Sequence, residues 1–132
     1  MPSIFTKIID REIPANIIAE NDSFIAFLDI SPLTLGHCLV VPKIEVDYIY
    51  DLDDSVLTEL NLFAKKVAKG LALAVPCERI GLTVMGLEVP HAHIHLIPMH
   101  SMDDMNFART KLALSKVEMS DLAEKIKVHI KL

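Results

Sequence analysis

Residues 91–98 read His91-Ala92-His93-Ile94-His95-Leu96-Ile97-Pro98. Histidine alternates with a small or apolar residue, which is the period of a strand and not of a helix. In an extended chain the three imidazoles share one face, about 7 Å apart along the strand. Ala92, Ile94 and Leu96 occupy the other face. The apolar face needs a packing partner, and the opposite face becomes a row of titratable rings. The pattern predicts a half-buried strand with a helix against its back.

Residues 54–75 supply that helix. Val56, Leu60, Phe63, Ala64, Val67 and Leu71 recur at spacings of three and four, one face of a helix. Asp53 or Asp54 can cap its start, and Pro76 follows its end. Residues 16–20 and 23–29 read as strands divided by the turn signal Asn21-Asp22. Ser31-Pro32 and Gly36 mark a loop, and His37 to Val41 is the next strand, closed by Pro42. Residues 79–85 form a strand joined to 91–97 through Gly86. Residues 3–9 fit a short helix or an edge strand. Residues 100–115 read as a loop. Residues 120–129 read as a final helix, with Leu122, Ile126 and Ile130 repeating every four positions. Short links between strands favour antiparallel pairing. The expectation is an α+β fold, a mostly antiparallel five-stranded sheet with two helices on one side.

At 132 residues the chain fits one domain spanning 1–132 and can bury a core without staples. Slightly more than half of it is apolar, against disorder. The net charge of −5 argues against nonspecific nucleic-acid or membrane-surface binding, since both want basic excess. Cys38 and Cys77 form no Cys-x-x-Cys pair and read as small apolar residues in a reducing compartment. Lys7, Asp10, Arg11 and Glu12 interrupt the opening residues, unlike a signal peptide. No apolar stretch approaches a membrane span. Cytoplasm is the expected location.

The histidine row admits three readings. The rings are solvated or core histidines; or they hold a metal with His37 as a further ligand; or one imidazole attacks phosphorus while its neighbours donate hydrogen bonds. An unperturbed imidazole is substantially neutral at pH 7 and attacks without a separate base.

His-φ-His-φ-His-φ-φ, with φ apolar, is the signature of the histidine triad (HIT) family, and His91 to Ile97 matches it throughout. Ser3 to Ile9 with Glu12-Ile13-Pro14 resembles the family's opening. Phe27-Leu28-Asp29-Ile30-Ser31-Pro32 resembles its ribose-binding segment. Gly36-His37-Cys38-Leu39-Val40-Val41-Pro42-Lys43 resembles its next strand. These blocks stand in family order over about residues 3–98, and the tail after about 100 carries no match. The resemblance implies a homodimer with a joined sheet that binds a purine nucleotide or nucleotide conjugate and cleaves at its α-phosphorus. It makes His93 the nucleophile and lets the His91 carbonyl hold the His93 ring. His95 and His37 would donate to phosphate oxygens. Asp29 would accept from ribose hydroxyls, and Ile4, Phe5, Ile13, Phe27 and Leu39 would line the base pocket. No cofactor is implied.

The chain also departs from the family. Many relatives carry Gly-Gln before the triad, where this chain has Gly86-Leu87-Glu88-Val89-Pro90. Leu87 offers no donor, and Glu88 stands where a hydroxyl is common, so either Glu88 points away or the leaving group differs. Some bacterial relatives bind zinc through Cys-x-x-Cys at the positions of Ser3 and Thr6 and a histidine at the position of Glu45 or Val46. No metal is expected here. The leading expectation is a phosphoramidase-like hydrolase acting on a nucleoside 5′-phosphoramidate or similar conjugate. The alternatives are a dinucleoside polyphosphate hydrolase, a nucleotide-binding regulatory module with little turnover, and a metal-binding β-protein.

Overall fold

The structure, a computed structural model, describes residues 1–132. Five strands form one sheet: β1 (Ile17–Glu20), β2 (Phe24–Leu28), β3 (Cys38–Pro42), β4 (Arg79–Thr83) and β5 (Ile94–Met99). Their order is β1-β2-β3-β5-β4, and every pairing is antiparallel. The helices are α1 (Ile4–Ile9), α2 (Asp54–Ala74) and α3 (Lys116–Lys127), with single 3₁₀ turns at Ile49–Asp51 and Met102–Met105.

The central strands β2, β3 and β5 are buried on both faces because each face has its own apolar cover. Phe24, Ala26, Leu28, Cys38, Val40, Ala92, Ile94 and Leu96 point to α2 and α3. Leu60, Val67 and Leu71 of α2 are fully buried there, each contributing ~1.5–3 kcal/mol by removal from water. Ile25, Phe27, Leu39 and Val41 point the other way, where Phe5 and Ile8 of α1 cover them. The amino-terminal segment, readable as helix or edge strand, is thus a helix. It lies on the face opposite α2 and α3, so the helices are not all on one side. Ser3 caps it, accepting the Thr6 N–H at 3.0 Å.

Among the element boundaries that differ from expectation, three have a local reason. Regular pairing of β5 begins at Ile94, not His91. Extending the β3 register would set Ala92 against Pro42, which has no N–H to donate; Ala92 N–H bonds the Val46 carbonyl instead, at 2.7 Å. β4 ends at Thr83, opposite His95, because β5 has barely begun there. α3 starts at Lys116, earlier than residue 120, because Ser115 and Glu118 form a reciprocal capping box. Asp53 holds the position before α2 but makes no side-chain cap. No helix is long and apolar enough to cross a membrane.

Gly70, inside α2, marks where the carboxyl-terminal tail lands. A Cβ there would lie 2.5 Å from Ile130 Cγ1 and 2.8 Å from the His129 carbonyl oxygen. In a free helix Gly→Ala stabilises by roughly 1 kcal/mol. Here the clash with backbone wins, and Gly70→Ala is expected to destabilise by about 1–3 kcal/mol in chemical denaturation. A gain in stability would show that the tail does not rest on α2.

Candidate active site

The alternation expected of residues 91–96 holds although strand pairing starts late. Ala92, Ile94 and Leu96 enter the α2 side, and the His91 and His93 rings pack edge-on against Phe5 on the other. His91, His93 and His95 are all buried.

Fixed backbone partners assign the protons on these rings. His93 Nδ1 lies 2.7 Å from the His91 carbonyl oxygen, which can only accept. His93 Nδ1 therefore carries hydrogen, and a neutral His93 presents a bare Nε2. His37 is wired oppositely. Its Nδ1 accepts the Leu33 N–H at 3.0 Å, so its hydrogen is on Nε2, which donates to His95 Nδ1 at 2.9 Å. A neutral His95 must then carry hydrogen on Nε2. The ring centroids of His93 and His95 are 4.9 Å apart, so a lone pair and an N–H donor stand side by side. Both ring nitrogens of His37 are engaged within the protein, so its direct partner is His95 and not an external oxygen.

Asp29 Oδ1 accepts the Ser31 N–H at 2.8 Å, and Oδ2 lies 3.6 Å from His37 Nε2. Asp29, His37 and His95 offer atoms within 4.8 Å of one another, a spacing at which a metal ion could sit. The donor set does not fit one. His37 could bind through Nε2 only by moving its hydrogen to Nδ1, where it would face the Leu33 N–H. Of the expected base-pocket residues, Phe5, Phe27 and Leu39 form one buried cluster with Ile13 packed against it. Ile4 is 51% exposed and lies outside that cluster.

Residues 100–115 return over this site. Phe107 sets its ring edge against His95, at 4.9 Å between centroids, and against His37, at 6.0 Å. Arg109 anchors the segment by donating to the Leu33 carbonyl at 2.6 Å and pairing with Asp104. Leu112 N–H donates to the Pro32 carbonyl. Lys111 bonds the carbonyls of Phe107 and Arg109. Phe107 and Arg109 were not identifiable from sequence, because no periodicity or motif links Phe107 to His95 and His37 or Arg109 to Leu33, 76 positions away. Glu88 is exposed, but its charge reaches both Asp29 and His93.

Burial lowers the pKa of His37, His93 and His95. His37 is pushed down to about 4 by burial and then by the Lys111 charge. His95 falls to about 3 by burial and then by His93 and His37. His93 is lowered by burial, partly opposed by its bond to the His91 carbonyl. Asp29 is raised by burial, opposed by the Ser31 N–H. These histidines bind protons more readily unfolded than folded. Stability is therefore full above about pH 6.5 and falls as pH drops from there toward about 4, the folded-state value of His37. Denaturant midpoints at pH 7.5, 6 and 5 are expected to fall in that order. A flat series would mean the rings protonate freely in the folded state.

The HIT domain pattern matches residues 10–102. An uncharacterized HIT-like protein of Borreliella burgdorferi is 34% identical over 96% of this chain and 97% of its own length. The adenosine 5′-monophosphoramidase hnt1 of Schizosaccharomyces pombe is 31% identical over 99% of this chain and 100% of its own. The crystal structure of a Hit-like protein from Bartonella henselae superposes with a TM-score of 0.82 at 28% identity, covering 97% and 96% of the two chains. The chain belongs to the HIT family.

Proposed function

We propose that this chain hydrolyses a nucleoside 5′-phosphoramidate, or a similar nucleotide conjugate, through a covalent nucleotidyl-His93 intermediate. One observation carries the reading: His93 Nδ1–H is held by the His91 carbonyl at 2.7 Å, which directs the Nε2 lone pair outward as a nucleophile. That nitrogen attacks the α-phosphorus. The P–N bond to the leaving amine breaks with its electron pair, and the amine takes a proton from water. A second water, giving its proton to the hydroxide left by the first, then displaces His93 and releases the nucleoside monophosphate. His95 Nε2–H donates to a phosphoryl oxygen as charge builds there. His37 holds His95 in that tautomer. Asp29 Oδ2 accepts from the ribose, and Phe5, Ile13, Phe27 and Leu39 give the base an apolar wall. The name of the fission-yeast relative supports the amine as leaving group. So does the negative charge of Glu88 near His93, which repels an anionic polyphosphate.

The proposal includes a homodimer joined at the outer edge of β4. That edge pairs with no strand and is flanked by exposed Leu82, Val84 and Met85. Light scattering is expected to give twice the 14.7 kDa chain mass.

The deciding assay compares a fluorogenic adenosine 5′-phosphoramidate with a diadenosine polyphosphate, with chelator present. Preferential release of the amine supports the proposal. Preferential cleavage of the polyphosphate would replace it with the dinucleoside reading, and binding of both with turnover of neither would leave a regulatory module.

A further inference from the structure

The amino-terminal turn meets the histidine row in a closed set of polar contacts. Ser3 Oγ lies 2.7 Å from His91 Nδ1, a buried contact between residues 88 positions apart. Glu45 Oε1 accepts the Ser3 backbone N–H at 2.7 Å and the Thr6 hydroxyl at 2.6 Å. His91 Nε2 lies 2.8 Å from the Pro42 carbonyl oxygen.

The chemistry of the end groups gives each contact one direction. The Pro42 carbonyl only accepts, so His91 Nε2 carries hydrogen. A neutral His91 then has a bare Nδ1, and the Ser3 hydroxyl donates to it. Ser3 Oγ in turn accepts the Thr6 N–H at 3.0 Å. The Thr6 hydroxyl is committed to Glu45. No buried side-chain polar atom in the chain lacks a partner. His91 is completely buried and pinned at both ring nitrogens. Its own carbonyl is the group that holds His93.

We infer that Ser3, itself held by Thr6 and Glu45, is a positioning residue for His93, acting through the His91 ring and carbonyl. Ser3 touches neither His93 nor the phosphorus position. It locks His91 in one orientation, and the His91 carbonyl transmits that orientation to the attacking nitrogen. Displacing a reacting atom by a fraction of an ångström is enough to slow a reaction while leaving substrate affinity intact.

The kinetic arm of the test rests on the hydrolytic reading proposed above. Ser3→Gly removes the hydroxyl with little loss of helix capping, since glycine is tolerated at that position. Ser3→Thr keeps both hydroxyl and cap. For Ser3→Gly, kcat is expected to fall ~10- to 100-fold with KM within about two-fold and the fold intact by circular dichroism. Ser3→Thr is expected to restore most of the rate. A Ser3→Gly kcat within about two-fold of wild type would overturn the inference, and so would a threonine variant no better than glycine.

The second arm needs no turnover. Ring ¹⁵N chemical shifts of the uncomplexed protein are expected to show the Nε2–H tautomer for His91 and Nδ1–H for His93, with His93 becoming a tautomer mixture in Ser3→Gly. An unchanged His93 tautomer in that variant would overturn the inference. Because this readout is independent of substrate, a protein that cleaves no nucleotide would fail the functional proposal without deciding this one.

Discussion

A His93→Ala variant is expected to fold and to lose at least ~10³-fold in phosphoramidate turnover, because it removes the attacking atom itself. The ring is buried against Phe5, 4.9 Å between centroids, but the main core lies on the far side of the sheet. Wild type trapped during turnover and denatured at alkaline pH should carry one nucleotidyl mass, and the variant none. Turnover that survives the substitution would mean that another group attacks phosphorus. Turnover that falls without any trapped adduct in the wild type would leave His93 essential but noncovalent.

The second large effect is expected at His37. Its Nε2–H is the group that selects the His95 tautomer, and Leu33 N–H in turn selects the His37 tautomer. His37→Phe keeps a ring of similar shape and loses the donor. His95 is then free to place its hydrogen on either nitrogen, and its Nε2–H is no longer guaranteed to face the phosphoryl oxygen. A loss of ~10²- to 10³-fold in kcat is expected, the scale of losing one donor to a developing oxyanion. The effect should be much smaller on KM. A kcat within about three-fold of wild type would show that His95 holds its donor without His37. Leaving the pair intact and varying pH gives a related check. The proposed mechanism needs neutral His93, so the acid limb of kcat/KM should lie below 6.5, the ordinary imidazole value.

The period-two pattern of residues 91–96 made the sheet and its facing helix legible before any coordinates. Ala92, Ile94 and Leu96 demanded an apolar partner, and the spacing of Leu60, Phe63, Val67 and Leu71 offered one. Local chemistry that repeats or caps can be read in this way. The capping box of Ser115 and Glu118 was readable too, and would have moved the start of α3 to its observed place. What was not legible has no period. The face taken by α1 depends on Phe5 meeting Phe27 across the sheet. The engagement of His37 with Leu33 depends on the turn made at Gly36, whose φ of +93° suits a residue without a Cβ. The return of Phe107 over His95 depends on Arg109 finding one carbonyl 76 positions earlier. The identities of His93, His95, His37 and Asp29 as a group came from resemblance. The hold of the His91 carbonyl on His93 was implied there too, but the link from Leu33 through His37 to His95 came only from the folded backbone.

Two contacts of the sheet join distant parts of the sequence. Ser3 meets His91 across 88 positions, and α3 packs on β1 and β2. During synthesis Ser3 therefore waits for a partner translated 88 residues later, and this cover of β1 waits for α3. Such wide separations slow folding, because chain closure must come before the contacts that reward it. Refolding is therefore expected to pair β1 with β2 and β4 with β5, whose partners are near in sequence, before Ser3 docks on His91 and α3 covers β1.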